Sequence, residues 1–371
     1  MFAVEAVDIL LQLAIERGAS DLHIHPRREG WDILLRIDGV LSVSHFLQGG
    51  GPNNPVTRLM VLAGLPTYRS SEPMEGRVVS DAVKNSDLSM RLGVYPTVHG
   101  PRGVIRFLRR DTSFDSIDSL GLPEDVSDAL RDSCEQTEGA IFLAGPTGSG
   151  KTTTLYAMLR KIAEAKPRRS VMTIEDPVES LIDSISQSEL DPSGGMTLAA
   201  ALRSAVRQDS EVLLVSEIRD PETAEAAFQA SLTGHLVFSS LHASDVAASI
   251  RRLAQFGVPV HAIQSGVHSI VCQRLLRKLC PRCKADSDCQ DCLGTGYSGR
   301  IPIAQCVRLD GNDAIGEALI AACQSGGSLA AMRAAALDAG GINLHQRAQT
   351  LVESGATDSA EVYRVLGTSG N

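Results

Sequence analysis

The sequence has 371 residues, enough for two domains, and 43% hydrophobic residues, enough for substantial cores. A formal net charge of -9 argues against a general nucleic-acid grip, which needs a basic face, so no direct nucleic-acid partner is expected. No apolar run is long enough for a transmembrane segment and residues 1–17 lack the basic start of a signal peptide, so a cytoplasmic protein that reaches a membrane only through partners is expected.

In chain order, residues 4–17 have the periodicity of an amphipathic helix that Gly18 can end. Residues 20–26 alternate like a strand, and 31–37 with 40–43 form a hairpin pattern around Asp38-Gly39. Asn54-Pro55 has the chemistry of an N-cap followed by the first helical residue and opens a helix to about residue 63, while 49–54 is the most loop-like short stretch. Strands are expected near 76–83, 88–95 and 103–108, which makes residues 1–110 a small α+β domain. Residues 111–122 are polar and turn-rich, the composition of a linker. From 123 to 371 strands near 140–144, 170–174, 211–215 and 235–240 alternate with helices, as in a mostly parallel α/β sheet, and an Ala-rich helical tail starts near 313.

The strongest local signal is Gly145-Pro146-Thr147-Gly148-Ser149-Gly150-Lys151-Thr152, a phosphate-binding loop between a short buried strand and a helix. Its glycines let backbone N–H groups turn toward phosphate oxygens, and the helix that begins near Thr153 adds positive potential. Lys151 can reach the β- and γ-phosphates of ATP, and the Thr152 hydroxyl can hold Mg²⁺. Residues 211–217 form a buried strand pattern ending in Glu217, where a second acidic motif belongs. Glu175, Asp176 and Glu179 follow another strand and can supply the carboxylate that activates water. His235 and His242 bracket the strand pattern at 236–240.

TIEDPVE at 173–179, LRSAVRQDSEVLLVSEIRD at 202–220 and TGHLVFSSLHASD at 233–245 resemble the Asp box, Walker B motif and His box of the secretion ATPases that drive type II secretion and type IV pili. The resemblance extends back through SDLHIHP (20–26), RIDG (36–39), PMEGR (73–77) and 91–110, and forward through QRLLRKLCPRC (273–283) and GTGYSGRIPI (294–303). It implies a hexameric ATPase with a PAS-like N-terminal domain and a RecA-like C-terminal domain. It also implies a role at the inner membrane, where a platform protein receives the motor and pilin-like subunits are extruded. Position by position, it makes Lys151 and Thr152 phosphate and Mg²⁺ residues, Thr153 part of the nucleotide site, and Glu217 the Walker B acid. Glu179 becomes the first candidate for activating water and Glu175 the second; His242 is placed near the γ-phosphate and His235 at the other His-box position. Arg77, Arg91 and Arg106 match the family's arginines. Ser216 stands where the family usually has Gly, which would restrict a positive φ before Glu217, and Gln305 stands where it usually has Glu. Relatives usually carry an extra N-terminal domain that docks them to a membrane partner; this sequence begins almost at the PAS-like region, which leaves recruitment by that route open.

Cys280, Cys283, Cys289 and Cys292 form two C-x2-C hooks, a pattern suited to a tetrahedral structural Zn²⁺ site. The resemblance supports this, since extrusion-type members carry a tetracysteine element here and retraction-type members generally lack it. Cys134, Cys272, Cys306 and Cys323 read as buried thiols. Retraction and conjugation ATPases of the same superfamily, and a weakly hydrolysing nucleotide-bound regulator, are the alternatives.

Overall fold

The computed structural model describes residues 3–49, 54–69, 71–80, 83, 88–109, 112–190, 195–283, 289, 291–292 and 294–368. The chain forms two compact units, Met1–Asp111 and Thr112–Asn371.

The first unit begins with helix α1 (Ala3–Glu16), followed by β1 (Asp21–Arg27), β2 (Gly30–Ile37) and β3 (Val40–Gln48). Asp38 and Gly39 both take positive φ, 48° and 83°, which matches the twist of the β2–β3 hairpin. Helix α2 (Pro55–Leu62) starts as its sequence dictates: the Asn54 side chain accepts the N–H groups of Val56 and Thr57, and Pro55 occupies the first turn. Strands β4 (Met74–Val78), β5 (Leu88–Thr97) and β6 (Gly100–Arg109) complete an antiparallel sheet of order β3-β2-β1-β6-β5-β4. Val7, Leu11, Leu59 and Met60 of the helices pack on Leu22, Ile24, Ile33, Leu92 and Ile105 of one sheet face. Residues 50–53 of the expected loop and 81–82 of an expected strand lie outside the described residues.

The second unit does not start with a free linker. Residues Thr112–Phe114 and Asp118–Leu120 form short 3-10 turns, and Ile117 and Leu120 are buried, because their apolar side chains find the core of this unit. Then come α3 (Glu124–Glu135), β7 (Gly139–Ala144), α4 (Lys151–Glu164), β8 (Val171–Glu175), β9 (Ser186–Glu189), α5 (Leu198–Ala205), β10 (Val212–Val215), α6 (Pro221–Ser231) and β11 (Leu236–Leu241). Helices α7 (Val246–Gln255) and α8 (Val260–Gly266) lead into β12 (Val267–Leu279) and β13 (Tyr297–Arg308), and α9 (Ala314–Gln324), α10 (Leu329–Asp338), α11 (Leu344–Glu353) and α12 (Ser359–Leu366) form the tail. The sheet order is β13-β12-β7-β11-β10-β8-β9; neighbours are parallel except the β12–β13 pair. Both faces are covered. Phe142, Leu213, Val237 and Ile270 face one core, while Ile141, Leu143, Leu214 and Phe238 face another built with α3 and α4. The continuous apolar runs of β7 and β10 follow from this double burial, and β11 adds two buried serines to its apolar residues. Among the described residues no helix is long and apolar enough to cross a membrane.

Candidate active site

In an open parallel sheet, ligands bind beyond the carboxyl ends of the strands. The loop after β7 is the phosphate-loop sequence. Gly145, Gly148 and Gly150 take φ of 149°, 75° and 93°. A Cβ on Gly145 would stand 2.5 Å from Ser149 Oγ and 2.7 Å from the Gln273 backbone oxygen, which closes that position, and one on Gly150 would stand 2.6 Å from Gln273 Nε2 and displace that side chain. Gln273 of β12 explains this: its Nε2 donates to Ser149 O at 2.8 Å and its Oε1 accepts from Thr154 Oγ1 at 3.0 Å, clamping the loop from below.

Lys151 is the first residue of α4, and its Nζ donates to the loop's own carbonyls, Gly145 O at 2.8 Å and Pro146 O at 3.1 Å. Burial pulls its ammonium below the usual lysine range; Glu217 and Glu179 oppose the shift and Arg274 adds to it. The N-cap of α4 is Gly150, which offers no capping side chain, and the Ser149 hydroxyl is buried without a partner among the described residues. A turn of uncapped N–H groups, an orphan hydroxyl and a half-buried ammonium suit an anion such as a phosphate. Thr152 is half-buried and Thr153 exposed at the start of the same helix.

Glu217 follows β10. Its Oε1 lies 2.9 Å from His242 Nε2, an ion-pair distance when the ring is protonated, and its Oε2 accepts from Arg219 Nε at 2.9 Å. His242 follows β11, so two adjacent parallel strands deliver an acid and a histidine to one point. Ser216 does not take a positive φ; Asp38 and Asp209 are the non-glycine residues that do, among those described. The anticipated restriction at Ser216 therefore does not arise, and its carbonyl accepts from Ser240 Oγ at 2.7 Å.

Glu175 ends β8 and is 2% exposed. One carboxylate oxygen accepts from the Tyr156 hydroxyl, and the other from Thr173 Oγ1 at 2.6 Å and Gln187 Nε2 at 3.1 Å. Three protein donors occupy this buried carboxylate, which favours Glu179 over Glu175 as the acid that meets water. The Tyr156 oxygen accepts the Glu179 N–H at 3.3 Å, so one hydroxyl on α4 joins both acids of the loop. Burial, then the Glu175 charge, pushes the Tyr156 phenol far above its usual range, which keeps it a donor.

His235, at the other His-box position, lies apart from this cluster within one chain. It precedes β11, where its carbonyl accepts from Gly139 N at the start of β7, and its ring lies 3.3 Å from Ala230 O. The six residues of β11 separate it from His242, a span of about 20 Å at the rise of a strand. Within one chain it sits at the amino edge of the sheet, opposite the phosphate loop.

In the first unit, Arg77, Arg91 and Arg106 are direct cross-strand neighbours on β4, β5 and β6, and the row continues through Asp21 on β1 to Arg36 on β2. Residues paired this way share one sheet face. Arg91 pairs with Glu75 at 2.7 Å, and Asp21 takes Arg106 at 3.0 Å and Arg36 at 3.6 Å.

The sulfurs of Cys280, Cys283, Cys289 and Cys292 all lie within 4.8 Å of one another, with Cys280–Cys289 at 3.9 Å and Cys283–Cys292 at 3.4 Å. A tetrahedral zinc with bonds near 2.3 Å spaces its sulfurs at about 3.8 Å, so this donor set fits the metal. Cys134 and Cys272 are buried as expected, whereas Cys306 and Cys323 are half-buried.

Residues 2–364 match the family model described as type II/IV secretion system protein. The chain belongs to this family. Among its relatives, the type IV pilus assembly ATPase TfpB of Acinetobacter baylyi is 36% identical over 335 residues, 83% of this chain and 57% of the relative. The type II secretion system protein HxcR of Pseudomonas aeruginosa is 33% identical over 369 residues, 98% of this chain and 77% of the relative. The chain thus spans little more than half the length of the first of these relatives and about three quarters of the second. The solved structure of the Legionella pneumophila ATPase DotB shares the fold, with a TM-score of 0.71 over 99% of this chain and 96% of that one at 22% identity.

Four residues at the family site were not singled out by sequence reading. Tyr156 is five positions after the loop lysine and Arg219 two after Glu217; Gln273 and Arg274 sat inside a quoted motif with no role attached. For Gln273 and Arg274 the signal was a polar pair between the apolar residues Val271 and Leu275 of β12; Tyr156 and Arg219 carried none.

Proposed function

We propose that the chain is an ATP-hydrolysing motor that powers extrusion of pilin-like subunits in a type II secretion or type IV pilus system. The observation that carries this reading is the convergence of Lys151, the Glu217–His242 pair and the Glu179 loop at the carboxyl edge of one sheet, with the cysteine cluster in the same unit. The names of the relatives support it.

In this reading the loop N–H groups and Lys151 bind the β- and γ-phosphates, Lys151 exchanging its carbonyl partners for phosphate oxygens. Thr152 and Glu217 would hold Mg²⁺, which would supply neutralisation of phosphate charge. Glu179 orients and deprotonates the attacking water, and Tyr156 fixes the backbone of Glu179 relative to the phosphate loop. His242 holds Glu217 in place and can sense the γ-phosphate. Arg77, Arg91 and Arg106 bring positive charge to the transferred phosphoryl in an assembled hexamer, where His235 meets a neighbouring copy rather than its own phosphate loop. The first unit is PAS-like and the second RecA-like. The four cysteines hold a structural Zn²⁺, which favours extrusion over retraction. The protein works in the cytoplasm against the inner membrane through a platform protein.

The test is steady-state ATP turnover. The unaltered chain should hydrolyse ATP with Mg²⁺ and Lys151→Ala should not; equal turnover in both overturns the reading.

A further inference from the structure

Arg274 of β12 is 7% exposed, and arginine is rarely so buried unless it is paired. Its partners are all neutral. Nη1 donates to Gln273 O at 2.9 Å and lies 3.5 Å from Cys272 Sγ; Nη2 donates to Ser244 O at 2.7 Å and reaches Ala243 O at 3.5 Å. Among the described residues no carboxylate takes it. The nearby acids are committed elsewhere: Asp245 to Arg333 at 2.6 Å and to the N–H of Ala248 at 2.8 Å, and Glu217 to Arg219 and His242.

The position of this charge is specific. A Cβ on Gly145 would stand 3.1 Å from Arg274 Nη1, so the guanidinium presses against the first turn of the phosphate loop. Its other contacts, Ala243 and Ser244, belong to the segment that immediately follows His242. Arg274 also acts electrostatically on Lys151, in the direction of two like charges confined together.

We propose that Arg274 is a positioning residue whose buried charge is left unneutralised by the protein so that the polyphosphate of a bound nucleotide serves as its counter-charge. The inference rests on the nucleotide reading above. A buried charge with only dipolar partners costs stability in the free chain and repays it when an anion arrives. The guanidinium lies against the phosphate loop and donates to Ser244, just after His242, so charge placed in the loop acts on a group that braces the His242 segment.

The experiment compares the full chain with Arg274→Met and Arg274→Lys, reading the thermal midpoint without nucleotide and the Kd for ATP. Removing the charge should weaken ATP binding on the order of tenfold, the scale of one unit charge acting across roughly 10 Å at an effective dielectric near 20. The nucleotide-free midpoint of Arg274→Met should equal or exceed that of the unaltered chain, and Arg274→Lys should retain most of the ATP affinity. A purely structural brace predicts the reverse: a lower midpoint with unchanged Kd, which overturns the proposal. Should the Met variant fail to fold, a folded Lys variant that has lost affinity tenfold overturns it equally. Failure of the unaltered chain to bind ATP would instead overturn the nucleotide reading, and this proposal with it.

Discussion

Glu217 and His242 share a 2.9 Å contact although 25 residues separate them, because β10 and β11 run parallel and end side by side. The pair makes the acid after β10 and the histidine after β11 one unit rather than two. Glu217→Gln should keep ATP bound while slowing hydrolysis by roughly 10²-fold or more, the scale of losing an electrostatic or acid–base group. His242→Ala should slow it less, and the double variant should be no worse than Glu217→Gln alone, since residues that act together do not add. Additive losses in single-turnover assays would separate the two roles.

Tyr156 provides a second test. Its hydroxyl donates to buried Glu175 and accepts from the Glu179 N–H. Tyr156→Phe keeps the ring and removes both bonds. A hydrogen bond to a buried charged group contributes about 1.5–3 kcal/mol, so denaturant unfolding should show a loss of that order. Hydrolysis should fall with kcat rather than KM, because Glu179 is displaced while the phosphate loop is intact. A variant with the turnover of the unaltered chain would remove Tyr156 from the site.

The sequence showed the phosphate loop, the strands that frame it and the cysteine hooks because each is a local pattern. The Asp38-Gly39 hairpin and the Asn54 cap were legible for the same reason: a few neighbouring residues decide them. What escaped depends on register. The alignment of Arg77, Arg91 and Arg106 with Asp21 and Arg36 exists only once five strands are paired. The partners of Arg274 come from the segment after β11, and those of Glu175 from α4 and β9. His235 and His242 look equivalent in a motif, and only the direction of β11 shows that they face opposite edges. The stretch at 111–122 read as a linker because it is polar on average, while two apolar residues within it, Ile117 and Leu120, decide its fate.

The first unit should weaken in acid. Burial is the main cause that lowers His23 to about 4 from 6.5, against the pull of Asp21 and with the help of Arg36, Arg102 and His25. Burial lowers His25 too. Between pH 6.5 and 4 the unfolded chain binds protons that the folded chain does not, so stability is full above this window and falls as pH drops through it. Chemical unfolding of the full chain at pH 7.5 and pH 5 should show the loss, and His23→Gln should reduce it. An identical pH dependence in the variant would place the effect elsewhere.

Metal content tests the cysteine cluster. Protein purified without chelator should hold about one Zn²⁺ per chain, and Cys283→Ser or Cys289→Ser should lower it. Because Leu279 N donates to Ala356 O at 2.9 Å and Cys280 N to Gly296 O at 2.8 Å, the cluster is joined to the tail and to the start of β13. Chelation should therefore raise hydrogen exchange in these segments, as metal binding is coupled to local folding. Exchange that is unchanged on chelation would make the cluster independent of its surroundings.

The arginine row leads to the last prediction. Like charges directly opposite on neighbouring strands destabilise a sheet, so three adjacent arginines are an expense the fold must offset. Asp21 answers Arg106 and Arg36, and Glu75 answers Arg91 at a site where both partners are largely exposed, which contributes little. The row thus remains cationic on balance, four arginines against two acids, a surface fitted to an anion. If that anion is the γ-phosphate in the assembled motor, Arg91→Ala should lower kcat by several powers of ten while nucleotide binding persists, as for an arginine supplied to phosphoryl transfer. Residues 112–371 expressed alone should behave the same way, binding ATP through their own loop and hydrolysing it poorly. The isolated sheet unit should gain thermal stability from Arg77→Gln, because relief of repulsion is all that the substitution does there. Full turnover by Arg91→Ala, or by residues 112–371, would show that the row serves some other anion and that hydrolysis is not coupled to the first unit.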